Sequence, residues 1–186
     1  MKLLAGLPAT GPLAIAFPVE WGRHGREGTV VEFKTDADTW VANFRPGLGG
    51  IEFAQFHPNK RDAVVVAAGD LWVVNPDKRT AELLLPAIDV ALEVQNPDGW
   101  VFSRQGLALA RFGPEGFLWH TRRLSWDGFD QVDIVNGEVT GLAWDPMVNT
   151  WHPFRVDLRT GRSAGGSCSD AGTEGWESLA DGVEET

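Results

Sequence analysis

Four turn-forming clusters recur along the chain at nearly even spacing, and this constrains the fold more than any other feature. They are Lys34-Thr35-Asp36-Ala37-Asp38, Asn75-Pro76-Asp77-Lys78, Gly113-Pro114-Glu115-Gly116 and Leu158-Arg159-Thr160-Gly161. With Asp36, Asn75, Gly113 and Arg159 as markers, the spacings are 39, 38 and 46 residues. A short apolar stretch ending in Phe33, Val74, Phe112 or Leu158 comes with each cluster. A repeat of ~40 residues with strand–turn–strand content is the size of one propeller blade. We therefore expect an all-β chain of antiparallel, hairpin-connected sheets. They would form four blade-like repeats, as a small propeller or a strongly curved sheet. The alternative is a meander sandwich or barrel with evenly spaced hairpins. The longest gap implies one insertion, around residues 147–150.

Local patterning agrees. Ile88, Val90, Leu92 and Val94 alternate with Asp89, Ala91 and Glu93, and Phe154, Val156 and Leu158 alternate with Arg155 and Asp157. Period-2 alternation puts one set of side chains on a core face and the other in water. Further strands are expected at 12–18, 29–34, 39–44, 51–56, 62–68, 70–75, 80–85, 100–104, 106–112, 117–121, 131–135 and 138–144. Helical periodicity is scarce before residue 173.

The chain of 186 residues is long enough to bury a core without disulfides or metal. We expect one β-rich domain over 1–162 and a Gly/Ser-rich acidic tail over 163–186. The tail carries six acids and no base, while all 16 basic residues and 20 acids lie before it. In the tail Trp176, Leu179, Ala180 and Val183 fall on one helical face, which predicts a short helix over 173–183.

The net charge of −10 argues against nucleic acid and anionic membrane as partners. The only basic pairs, Lys60-Arg61, Lys78-Arg79 and Arg122-Arg123, sit beside acids or at turns. The start of the chain, with Leu3-Leu4-Ala5 and Ala14-Ile15-Ala16, resembles a short signal peptide. Pro8, Gly11 and Pro12 interrupt it, and 12–18 reads better as a strand entering the fold. Cys168 is the only cysteine, so no intrachain disulfide forms, and a cytoplasmic setting is expected.

Most motifs that resemble catalytic signatures fail on context. Gly161-Arg162-Ser163-Ala164-Gly165 matches a nucleophile elbow, but no histidine follows and no helix comes directly after it. Gly47-Leu48-Gly49-Gly50 opens a strand rather than the helix a phosphate loop needs, and reads as a wide turn. Asp36-Ala37-Asp38 lacks the glycine and closing glutamate of a calcium loop. His24, His57, His120 and His152 lie more than 30 residues apart, with no local pair to start a zinc site. We expect no metal, no cofactor and no catalytic set.

Nine tryptophans, ten phenylalanines and no tyrosine are left to explain. Trp21, Trp40, Trp72, Trp100 and Trp119 lie in or beside apolar stretches and suit the core. Trp126-Asp127-Gly128, Trp144-Asp145-Pro146 and Trp151-His152-Pro153 instead join tryptophan to turn signals. Brought to one rim, they would form an aromatic surface flanked by carboxylates, suited to a cationic or hydroxyl-rich ligand. Core filling with capped turns is the plainer explanation of the same residues.

Ser125-Trp126-Asp127-Gly128-Phe129, Gly141-Leu142-Ala143-Trp144-Asp145-Pro146 and the run from Trp151 to Gly161, closing on Gly165-Gly166, resemble a group of small uncharacterised bacterial proteins. The resemblance covers the C-terminal third. It implies a bacterial origin and a self-contained domain, and brings no activity.

The expectation for function is a non-enzymatic binding protein, foremost a protein-interaction module that acts as adaptor or neutraliser of a basic partner. The alternatives are a carbohydrate- or small-ligand-binding module using the turn tryptophans, and an enzyme with a dispersed site. Binding is expected through Trp126, Asp127, Trp144, Asp145, Trp151, His152, Trp176 and Leu179.

Overall fold

In the computed structural model, residues 1–22, 26–95 and 98–168 are described. The chain divides into two compact units, Met1–Asp89 and Val90–Thr186. The protein is all-β, with four four-stranded sheets, each built mainly from antiparallel hairpins. Each sheet has the size and make-up of one blade, and none closes into a barrel. Among the described residues, no helix is long and apolar enough to cross a membrane.

In the first unit, β1 (Lys2–Leu4), β2 (Ile15–Phe17), β3 (Thr29–Lys34) and β4 (Thr39–Phe44) form a sheet in the order β1-β3-β4-β2. The short α1 (Val19–Gly22) follows β2, which is the one strand that pairs in parallel, against β4. The second sheet runs in simple order from β5 (Phe53–Phe56) through β6 (Ala63–Ala67) and β7 (Asp70–Asn75) to β8 (Thr80–Leu85). The β-branched run Val64–Val66 in β6 is buried throughout, as a strand covered on both faces should be. The core of this unit joins the two sheets: Val31, Phe33, Trp40, Ala42 and Phe44 pack with Val65, Trp72 and Val74.

The second unit repeats the plan. One sheet is β9 (Ala91–Gln95), β10 (Asp98–Arg104), β11 (Ala108–Gly113) and β12 (Gly116–His120). The other is β13 (Phe129–Val135), β14 (Glu138–Asp145), β15 (Thr150–Asp157) and β16 (Ser163–Gly165). Val101 and Leu109 pack here with Leu124, Val139, Ala143, Phe154 and Val156. Arg111 is buried to 1% exposure, and its guanidinium donates to the carbonyls of Trp100 and Phe112. Desolvation lowers its pKa.

The four recurring turns occupy equivalent places. In the second, third and fourth sheets they join the third strand to the fourth, and in the first they join β3 to β4. A tryptophan latch accompanies them in both units. Trp40 Nε1 donates to Pro76 O at 3.0 Å, reaching from β4 to the β7–β8 turn. Trp119 Nε1 donates to Leu158 O at 3.0 Å, reaching from β12 to the β15–β16 turn. Each latch fixes one sheet of its unit to the hairpin of the next. In the first unit Arg79 reinforces it by pairing with Asp38 and lying 6.0 Å from the Trp40 ring centre.

Several expectations need correction. Residues 163–168 are not a linker: Ser163–Gly165 pair with Val156–Phe154 as the last strand, and Ser167 N then donates to Leu124 O. Gly165 and Gly166 take positive φ values of 77° and 89°, so the composition that suggested flexibility serves a tight backbone path. Ser163 accordingly opens a strand, and no nucleophile elbow forms there. The strand expected from Ile88 begins at Ala91. Ala87 has φ 52°, and Ile88 N donates to Gly69 O, which ties Ile88 to the first unit. The extra residues of the long repeat are spread over the β12–β13 loop, β13 and the β14–β15 hairpin, whose eight-residue arms are longer than the other strands. The expected helix over 173–183, with Trp176 and Leu179, lies outside the described residues, as does His24.

Candidate functional site

The β14–β15 hairpin brings four of the expected residues, Trp144, Asp145, Trp151 and His152, together on one sheet. Its register pairs Trp144 with Trp151, Ala143 with His152 and Asp145 with Thr150. Trp144 N donates to Gly128 O on the β13 side, so Trp144 and Trp151 face each other as a non-hydrogen-bonded pair, where side chains come closest. Their ring centres are 4.9 Å apart with the planes at 51°. Trp151 remains 40% exposed.

Alternation along the two strands then fixes the rest of that face. Trp144–Trp151, Leu142–Pro153, Thr140–Arg155 and Glu138–Asp157 are successive rows on the outer side. From β13, Asp130 opposite Leu142 and Asp133 opposite Thr140 join it, with a bulge between them. A shallow groove of about 450 Å³ follows these rows, lined by Glu138, Thr140, Pro153, Arg155 and Ala164 among others. The opposite face holds Ala143, Phe154 and Val156 in the core.

His152 and Asp145 sit on that inner side, at the end of the sheet. His152 Nε2 is 3.6 Å from Asp145 Oδ2 and, though shielded from water, makes no hydrogen bond. Asp145 Oδ1 accepts the Met147 N–H at 2.9 Å, an Asx turn that starts the hairpin loop. This carboxylate is used in building the turn. The loop carries Met147 and Val148, 83% and 62% exposed.

Trp126 reaches the same sheet through its backbone. Its N–H lies 3.2 Å from Trp144 O and 3.0 Å from Ser167 Oγ, and Ser167 Oγ donates to Trp144 O at 2.7 Å. Its ring is 44% exposed and carries the Arg123 guanidinium 4.5 Å above its centre. Arg123 is held there by donating to Ser125 O and Trp126 O. Asp127 is exposed, and its N–H is tied to Ser125 Oγ. Arg122 braces the region by donating to Gly165 O and Cys168 O. Cys168 is buried, and burial pushes its thiol up, away from the reactive thiolate.

The sequence reading therefore chose the tryptophans but missed their companions. Nothing in the sequence marks Arg123, Leu142 or Pro153 as a partner of the rings: strand register sets Leu142 and Pro153 in the row next to the Trp144–Trp151 pair, and the loop after β12 brings Arg123 over Trp126. Trp40, Trp72 and Trp100 are buried as expected, while Trp21 and Trp119 are half-buried.

Among the described residues, no three His, Cys, Asp or Glu side chains converge to hold a metal ion. His57 follows β5 in the first unit and His120 ends β12 in the second, and burial lowers the pKa of both. His57 Nδ1 accepts the Asn59 N–H, and His120 packs on Phe117 at 4.7 Å.

Comparison with protein-family models finds no match, and comparison with curated proteins finds none. The site's chemistry is therefore read from its own residues.

Proposed function

We propose that the protein is a non-enzymatic binding module and that its partner is a protein with a basic surface. The observation that carries this reading is the Trp144–Trp151 pair on the outer face of the fourth sheet, with Trp126 exposed beside the same strand. Tryptophan and arginine are the residues enriched where protein interfaces concentrate their energy. An open, shallow face suits a macromolecular surface better than an enclosed small molecule. The acidic balance of the chain would speed encounter with a cationic partner. A cytoplasmic setting accords with a lone, buried cysteine.

A second reading has a specific observation behind it. Thr140, Glu138 and Arg155 line a groove on the same face as the tryptophan pair, and hydroxyl-rich sugars take such donors and acceptors near an aromatic platform.

The test is affinity capture with the full chain and a Trp126→Ala/Trp151→Ala variant. The expected result is a captured protein that is lost with the variant and at high salt, while the variant melts near the parent temperature. Capture that is indifferent to both changes would overturn the proposal. The contribution of Trp176 and Leu179 is tested by truncation at residue 169, because an earlier cut removes β16.

A further inference from the structure

We infer that the outer face of the fourth sheet receives an extended, proline-rich peptide with basic flanking residues. This rests on the proposed role as a protein-binding module and names the chemistry of the partner segment.

Three features point to it. The first is the state of the indole N–H groups. Trp40 and Trp119 give theirs to backbone carbonyls, whereas those of Trp126, Trp144 and Trp151 donate to no described residue. They are open donors beside exposed ring faces. A polyproline II segment offers the complement: it has no internal hydrogen bonds, its carbonyls are free to accept, and its rings stack on flat aromatic surfaces.

The second feature is charge. Asp130, Asp133 and Glu138 stand on the outer face against Arg155, and none of these carboxylates makes an ion pair with a described residue. Asp133 and Glu138 lie towards the end of the face away from the tryptophans, and Asp130 lies in the row next to the pair. Proline rings at Trp144 and Trp151 would thus leave a basic flank over Glu138 and Asp133. From residue 138 to 144, β14 spans roughly 20 Å at ~3.3 Å per residue. A polyproline II segment rising ~3.1 Å per residue covers that length with about six or seven residues.

The third feature argues against strand addition at the β15 edge. β16 already covers Phe154–Val156 at the β15 edge, and the next outward-facing residue, Pro153, has no N–H to offer. A peptide that contacts Trp144 and Trp151 from that side therefore lies across the face of the sheet.

The probe is a synthetic peptide of proline pairs separated by leucine and ending in two lysines, titrated into the full chain and followed by tryptophan emission. A matched peptide with alanine for proline is the control. We expect saturable binding of the first peptide and at least about tenfold weaker binding for Trp151→Ala, as for a central interface residue. Trp151→Phe, which keeps a flat ring and loses the N–H, should lie in between. Asp133→Asn/Glu138→Gln or added salt should weaken binding by about a few-fold.

Equal binding of the alanine peptide, no saturable binding, or undiminished binding by Trp151→Ala overturns the inference, as does an emission change with neutral oligosaccharides in place of the peptide. If a captured protein depends on Trp126 and Trp151 but the peptide does not compete, this inference fails and the binding role stands. If neither depends on them, both fail.

Discussion

The β3–β4 hairpin of the first sheet and the β14–β15 hairpin of the fourth carry the same local device with opposite outcomes. In each, an aromatic residue faces a tryptophan across the strands: Phe33 with Trp40 at 4.7 Å, and Trp144 with Trp151 at 4.9 Å. The first pair is 1% and 2% exposed, and its indole N–H is latched to the neighbouring hairpin. In the second, Trp151 is 40% exposed, and neither indole N–H has a partner among the described residues. Cross-strand pairing alone therefore does not make a core. The first pair is covered by Val65, Trp72 and Val74 from the adjacent sheet, whereas among the described residues the second pair belongs to no such cluster.

The strongest way to break this comparison is truncation at both hairpins. Trp40→Ala leaves a cavity beneath the latch and should cost about 3–5 kcal/mol in urea unfolding. Trp151→Ala should cost only about 1 kcal/mol, the worth of an exposed ring pair. Equal losses would mean that the fourth-sheet pair is core after all.

A finer test isolates the latch. Trp119→Phe keeps most of the ring and removes the donor to Leu158 O, and a loss of about 1 kcal/mol is expected in the same assay. No loss would reduce the latch to ring packing.

The smallest expected effect concerns the β5–β6 turn, a hairpin secured by charge rather than rings. Asp62 accepts hydrogen bonds from Arg61, Asn59 and Asn75, and its pKa is lowered from 3.8 to about 2, chiefly by Arg61. Because the folded pKa is depressed, the stabilisation is present above the unfolded value and is lost as pH falls from about 4 through 2. Melting temperature should drop over that interval, and Asp62→Asn should flatten the drop. An unchanged slope in the variant would assign the acid sensitivity elsewhere.

Strands with strong alternation or β-branched runs were legible residue by residue: 29–34, 39–44, 70–75 and 80–85 match β3, β4, β7 and β8. Residues 2–4 and 163–165 were not. Three-residue strands carry no period of their own, and β1 and β16 exist because β3 and β15 offer them an edge. The stretch from Ile88 to Val94 shows the reverse error. A continuous alternation was read as one strand, but a positive φ at Ala87 and the Ile88–Gly69 hydrogen bond divide it between two units. At the candidate site, turn signals selected Trp126, Trp144 and Trp151, while Asp130 and Asp133 have no local signature.

The sequence by itself determined the all-β class, the four-fold recurrence and most strand positions, because alternation and turn chemistry act over a few residues. Tertiary structure decided which tryptophans are core and which are surface. That choice depends on whether a second sheet covers the face. It also turned a Gly/Ser-rich stretch into β16, since only a neighbouring strand can supply the hydrogen bonds such a segment lacks alone.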